Sequence, residues 1–193
     1  MKKFKLTSEF IVDISGVKLF RIKALIEFGN VKAGDLGGYI EKEENLSHMG
    51  NAWVSGDAQV SGNARVFGNA RVFGDAQVFG DAWVSGNARV SGDARVFGNA
   101  WVSGNAWVFG DAWIYGDARV SGDKDYAYAH GFGSCNRTTT FFRLKDGDVG
   151  VRCGCFYGTL AQFRDKVCET HGETKKAQEY LMLADLMEIR FKN

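Results

Sequence analysis

The 193-residue chain contains no proline and only four cysteines. Without proline, tight turns must come from glycine and from Asn or Asp, which tolerate left-handed backbone or close Asx-turns. Cys135, Cys153, Cys155 and Cys168 all lie in the last third of the chain. With no secreted context, they are expected as reduced thiols rather than a disulfide framework. A charge excess of one sign is also lacking: 24 Lys and Arg stand against 23 Asp and Glu, for a formal net charge of +1. That balance, with the basic residues dispersed, excludes a long-range field for nucleic acid or an anionic membrane. No apolar run reaches bilayer length. The Lys-rich start imitates a signal peptide, but Lys5, Ser8, Glu9 and Asp13 prevent an apolar core from forming, so a cytoplasmic protein is expected. At 45% hydrophobic and 24% charged residues, the chain is neither disordered nor collagenous.

What is present is a repeat. From Gly50 the pattern Gly-(Asn/Asp)-Ala-x-(Val/Ile)-(Ser/Phe/Tyr) runs without insertion through residues 50–121, twelve hexads in all. Self-similarity of this kind decides the architecture before any propensity does. In extended backbone alternate side chains share a face, so Ala and Val point one way while x and the Ser/Phe/Tyr position point the other. Since x is Arg or Gln in seven hexads, x must face outward. Ala and Val then fill a narrow interior, and Gly relaxes each corner.

The residue after Gly shows how the hexads stack. Every third hexad gives Asn51, Asn69, Asn87 and Asn105, and the next set gives Asp57, Asp75, Asp93 and Asp111. The third set alternates as Asn63, Asp81, Asn99 and Asp117. Such segregation is expected if residues 18 apart are stacked neighbours, roughly 4.8 Å away in the pairing direction. Three hexads per coil make four coils of a triangular prism. The pattern resembles the hexapeptide repeat of left-handed β-helix proteins, which implies a left-handed parallel β-helix. It departs from that class in placing Ser, Phe or Tyr after the inward Val.

The ends differ. Residues 1–49 are expected as an N-terminal capping segment, with a strand over 17–28 and a turn over 34–38. A cap is needed because a solenoid's terminal edge is open to strand addition. Residues 122–193 are expected as a small α+β domain. It would hold a strand at 125–130, a hairpin around Asp146-Gly147 and a strand over 149–156. A helix capped by Thr159 and ending near Gly172 would be followed by one over about 174–189 that buries Tyr180, Leu181, Ala184 and Met187.

The segments Gly34-Asp35-Leu36-Gly37-Gly38-Tyr39-Ile40-Glu41, Asn45-Leu46-Ser47, Thr139-Thr140-Phe141-Phe142 and Cys153-Gly154-Cys155-Phe156, with the hexads between them, are similar to a family of phage and prophage hexapeptide-repeat proteins described as polymer-forming or transferase-like. The resemblance implies a phage-related, cytoplasmic setting and transfers no catalytic residue.

All five tryptophans (Trp53, Trp83, Trp101, Trp107, Trp113) occupy the outward x position, and Phe67, Phe73, Phe79, Phe97, Phe109 and Tyr115 occupy the other outward position. This is more apolar surface than a monomer usually shows. Trp83, Trp101, Trp107, Trp113, Phe79, Phe97 and Tyr115 are therefore the expected self-association or partner surface, unless the C-terminal domain folds back over them. Arg65, Arg71, Arg89, Arg95 and Arg119 share columns with Trp, in reach of cation–π stacking or simply as a solvated face. The Gly131–Gly133 turn with Ser134, Asn136, Arg137 and neighbouring His130 is a candidate site for a small phosphate-bearing ligand, through backbone N–H groups and a guanidinium.

No cofactor or metal is assigned. Cys153, Cys155, Cys168 and His171 offer zinc-ligand types without a paired knuckle, so they are expected as core thiols and a helix-end histidine. A Ca²⁺ row on the Asp column is the weaker alternative to Asp side chains capping their own turns. A hexapeptide acyltransferase would need a histidine base, yet the twelve hexads contain none; His48 and His130 only flank them. The expected function is a non-catalytic, homo-oligomeric binding or assembly protein. The alternatives are a counter-defence protein that captures a host protein or small nucleotide, and an acyltransferase using acyl-CoA.

Overall fold

The computed structural model describes residues 1–134 and 136–192, so the expected thiol at Cys135 lies outside the described residues. The chain opens with an antiparallel pair, β1 (Phe4–Val12) and β2 (Lys18–Ala24), followed by β3 (Leu36–Ile40). Each hexad then gives one two-residue strand, from β4 (Trp53–Val54) to β15 (Arg119–Val120). These strands form three parallel ladders. Trp53, Arg71, Arg89 and Trp107 are in register on one side. Gln59, Gln77, Arg95 and Trp113 form the second side, and Arg65, Trp83, Trp101 and Arg119 the third. The result is the expected parallel β-solenoid with three hexads per coil.

The interior follows from the alternation: the Ala and the Val or Ile of each hexad are fully buried, while x and the next residue face out. Coils bond through their backbones, as when Trp53 N donates to Ala70 O at 3.0 Å and Ser55 N to Val72 O at 2.9 Å. Corner Gly86 has φ +64°, and a Cβ there would lie 2.9 Å from the nitrogen of Gly104 in the next coil. Only glycine permits that approach without strain. The Asn column satisfies itself: Asn51 Nδ2 donates to Asn69 Oδ1 at 3.2 Å, Asn69 to Asn87 at 3.1 Å and Asn87 to Asn105 at 3.1 Å.

Stacking begins before the hexads. Tyr39 and Ile40 pair in parallel with Gln59 and Val60, and Leu46 bridges to Val66, so two sides gain a further layer. Gly37 and Gly38, expected in a turn, instead lie inside β3. A Cβ on Gly37 would collide with Ile22 Cγ1, and one on Gly38 would sit 2.6 Å from Ala58 O. The glycines are there for close packing, which a turn-forming composition does not distinguish.

In this solenoid the Gly, Ala and Val carbonyls accept from the preceding coil; in the first coil Ala58, Val60 and Val66 accept from the Tyr39, Glu41 and Ser47 N–H groups, and other carbonyls are met by side chains. Lys3, only 1% exposed, donates Nζ to Ala52 O at 2.7 Å and Gly50 O at 3.3 Å. Asn45, also buried, donates Nδ2 to Ala64 O at 2.9 Å and Gly62 O at 3.1 Å. The last coil presents N–H groups instead. Trp107 N donates to Asp123 Oδ1 at 2.9 Å and Trp113 N to Thr140 Oγ1 at 3.0 Å.

Residues after the solenoid form an antiparallel sheet of β16 (Tyr126–Phe132), β17 (Arg137–Arg143), β18 (Val149–Cys153) and β19 (Phe156–Thr159), in that order. The strand expected over 149–156 is broken by Gly154 at φ +57°, which turns the chain back into β19. Helices α1 (Leu160–His171) and α2 (Lys175–Phe191) pack on one face. Thr159 and Gln162 form the expected capping box. Successive residues of β17 serve two cores: Phe141 faces α1 and α2, while Phe142 joins the end of the solenoid interior.

Candidate functional site

The outward aromatics divide according to what reaches them. Trp53 is buried beneath the N-terminal segment, with Phe28 edge-on at 5.4 Å. Phe79, Phe97 and Tyr115 stack along one corner at 4.7 and 4.5 Å between successive rings. The C-terminal domain covers only the rim of the last coil. Tyr157 sits edge-on to Tyr115 at 4.7 Å, Tyr128 edge-on to Phe109 at 5.9 Å, and Arg152 over Trp113 at 5.2 Å. It does not fold back over the tryptophans as a whole: Trp101 and Trp107 each remain 42% exposed.

The Trp101 side carries a continuous column. Trp83 and Trp101 lie 5.1 Å apart, Phe67 meets Trp83 edge-on at 5.8 Å, and Arg119 covers Trp101 at 5.1 Å. The column's N-terminal end opens into a groove of about 530 Å³ bounded by Glu43, Glu44, His48, Arg65, Phe67 and Trp83. Glu43 and Glu44 stand at one end of this side beside Arg65, with Glu43 paired to Lys2 at 2.9 Å, and Arg119 stands at the other. On the neighbouring side Trp107 donates Nε1 to Ser91 Oγ at 3.0 Å, with Arg89 5.9 Å from its ring.

A second concavity of about 600 Å³ lies where the Trp113 side meets the C-terminal sheet. It brings together Arg137 and His130 from the expected ligand set, and adds Arg95, Arg152 and Trp113, which sequence reasoning did not connect with them. Two guanidiniums lie over the indole of Trp113, Arg95 at 4.9 Å and Arg152 at 5.2 Å. His130 Nδ1 is 2.9 Å from Thr138 Oγ1 and 4.0 Å from Asp111 Oδ2. The rest of the expected set is engaged elsewhere. Gly133 N donates to Glu179 at 2.8 Å and Ser134 N to the Tyr180 hydroxyl at 3.0 Å, so those N–H groups are not offered to a phosphate. Asn136 is exposed, with φ at 46°. Burial raises the Tyr180 pKa, keeping that hydroxyl a proton donor.

The thiols differ from expectation as well. Cys155 and Cys168 are exposed, whereas Cys153 is half-buried and packs against the C-terminal core, so of these three only Cys153 is placed as expected. Cys155 falls on the turn rather than a strand, and Cys168 on the outer face of α1. Among the described residues no group of three or more His, Cys, Asp or Glu converges to hold a metal. The Asp column is exposed, with Arg21 4.0 Å from Asp57. His48 is a packing element: its ring stacks on Phe4 at 4.3 Å, and Nδ1 accepts from Lys3 N at 3.2 Å. One exposed apolar stripe was missed. Met182, Leu186 and Ile189 on α2 are 70%, 55% and 70% exposed, and their spacing in the sequence was the available signal.

Among the described residues, no helix is long and apolar enough to cross a membrane. No curated protein matches the chain. The model of the YdcK β-solenoid repeat matches residues 58–74, 64–80, 76–95 and 88–104, all within the hexads. Over residues 58–104 the chain is thus similar to a β-solenoid repeat, in keeping with its parallel ladders.

Proposed function

We propose that this protein is a non-catalytic assembly scaffold that pairs with a second copy of itself through the Trp101 side of the solenoid. The observation that carries this reading is Trp101, 42% exposed and continuous with Trp83 at the middle of that side. Glu43 and Glu44 lie toward one end and Arg119 toward the other. A two-fold partner running antiparallel would set the tryptophans against each other and bring exposed Glu44 of each copy toward Arg119 of the other. Aromatics and Arg of this kind are the residues that carry interface energy. His48, the base that an acyltransferase reading would call on, is held by Phe4 and Lys3, and this favours assembly over turnover. The left-handed winding and phage-related setting of this reading come from the motif resemblance, and the cytoplasmic setting also from Lys5, Ser8, Glu9 and Asp13 interrupting the start.

Light scattering on the full chain tests it. The expected result is a defined dimer that becomes a monomer in Trp101→Ser and Trp83→Ser, with far-UV circular dichroism unchanged. A monomer for the unchanged chain, or a dimer indifferent to both substitutions, overturns the proposal.

A further inference from the structure

We infer that the concavity between the Trp113 side and the C-terminal sheet is a binding site for a small phosphate ester, with Arg95, Arg137 and Arg152 gripping the phosphate. This inference is independent of self-association, which concerns a different side of the solenoid.

Three guanidiniums line one space of about 600 Å³, within the range of small-molecule sites. None of the three forms an ion pair with a carboxylate among the described residues, although other arginines in the chain do: Arg164 pairs with Asp185 and with Glu188, and Arg21 lies 3.6 Å from Glu9. Arg95 and Arg152 both lie over the Trp113 ring, a contact that restrains the two guanidiniums within the cleft. Arg152 uses one Nη1 hydrogen on Cys155 O at 3.3 Å, while its buried Nε has no partner. A buried donor left unpaired is costly, and like charges sharing one cleft repel; an oxyanion relieves both. Arg137 is held at the mouth by Gly154, where a Cβ would collide with Nη1.

The same walls carry Asp93 and Asp111, neither within ion-pair distance of these guanidiniums. Both are exposed, with Asp111 4.0 Å from His130 Nδ1, and their oxygens can accept from a ligand's donors. A ligand matching both requirements bears phosphate oxygens for the arginines and hydroxyl or amino groups for the aspartates, which describes a phosphate ester rather than inorganic phosphate.

Isothermal titration of the full chain with glycerol phosphate, adenosine monophosphate, inorganic phosphate, glycerol and adenosine tests the assignment. Saturable binding of at least one ester is expected, tighter than inorganic phosphate and absent for the unphosphorylated partners. Adenosine monophosphate binding more tightly than glycerol phosphate supports a nucleotide as the ester; the reverse order supports a polyol phosphate. Exposed Arg137 is substituted first, because its loss leaves the fold intact. Arg137→Ala should weaken binding about tenfold or more, the loss of one charged hydrogen-bonding group. Arg89→Ala, on another side, should leave binding unchanged. No saturable heat with either ester, inorganic phosphate binding as tightly as both, or Arg137→Ala binding like the unchanged chain would each overturn the inference.

Discussion

The two ends of the solenoid face opposite halves of the peptide group, and the chain answers each with the opposite chemistry. The N-terminal end presents carbonyls and is closed by donors, the Lys3 ammonium and the Asn45 amide. At the C-terminal end N–H groups are met by acceptors, the Asp123 carboxylate and the Thr140 hydroxyl. A parallel ladder has a direction, so its caps are not interchangeable. Apolar closure follows the same division: Phe4 and Leu46 seal one end of the shared core, Tyr126 and Phe142 the other. An open edge would recruit further strands, which makes this closure a condition for a finite particle.

The largest expected effect comes from removing an apolar plug. Phe142→Ala should cost about 3–5 kcal/mol, because the ring is fully buried and its site cannot collapse against a rigid coil. Chemical denaturation checks this; a cost under about 1 kcal/mol would mean that the C-terminal domain merely abuts the solenoid.

Reversing the polarity of one cap sharpens the contrast. Asn45→Asp keeps the acceptor that holds Lys42 N at 2.9 Å but replaces the donor to Ala64 O and Gly62 O with another acceptor. It should destabilise by about 3 kcal/mol, less below the carboxyl pKa, where a protonated Asp recovers one donor. Asp123→Asn, the comparable exchange at the other end, retains an acceptor oxygen for Trp107 N and should cost less than about 1 kcal/mol. Equal costs for the two would break the comparison. Between them in size, Thr140→Val removes the acceptor of Trp113 N and should cost about 1–2 kcal/mol in thermal or denaturant unfolding.

A pH effect separates the ends further. Burial, with repulsion from Arg71, lowers the Lys3 pKa from 10.5 to about 8. Below that value the folded chain carries a charge it disfavours, while the unfolded chain holds its proton up to the ordinary lysine range. Stability should therefore rise as pH increases from about 8 toward 10. Tyr126 works in the other direction: burial pushes its pKa from 10.0 up to about 12, so above pH 10 the unfolded chain loses that proton first and stability falls. Lys3→Met should flatten the rise without touching the fall, as melting temperatures across this range would show.

Legibility in the sequence tracked how local each decision was. The 18-residue segregation of Asn from Asp identified which hexads stack, because each amide bonds the residue one coil away. The capping box at Thr159 and the hairpin around Asp146-Gly147 depend on neighbours in sequence and were equally plain. Strand β1 was missed because it runs along the edge of its sheet, where Lys5, Thr7, Ser8 and Glu9 need no strict alternation. Lys3 read only as part of a Lys-rich start that imitates a signal peptide, although its ammonium is buried against residues 47 and 49 positions away. At the Trp113 cleft, His130 and Arg137 were named as candidates, but Arg95 and Arg152 come from elements brought together only by docking of the C-terminal sheet.

The repeat by itself determined the coil: its period, its Ala and Val interior, and the outward aromatics follow from alternation in extended backbone with a glycine at each corner. Only the tertiary structure decided where the coil stops and which tryptophans stay bare. Those outcomes depend on single side chains reaching across the chain to backbone groups whose direction exists only once the coils have stacked.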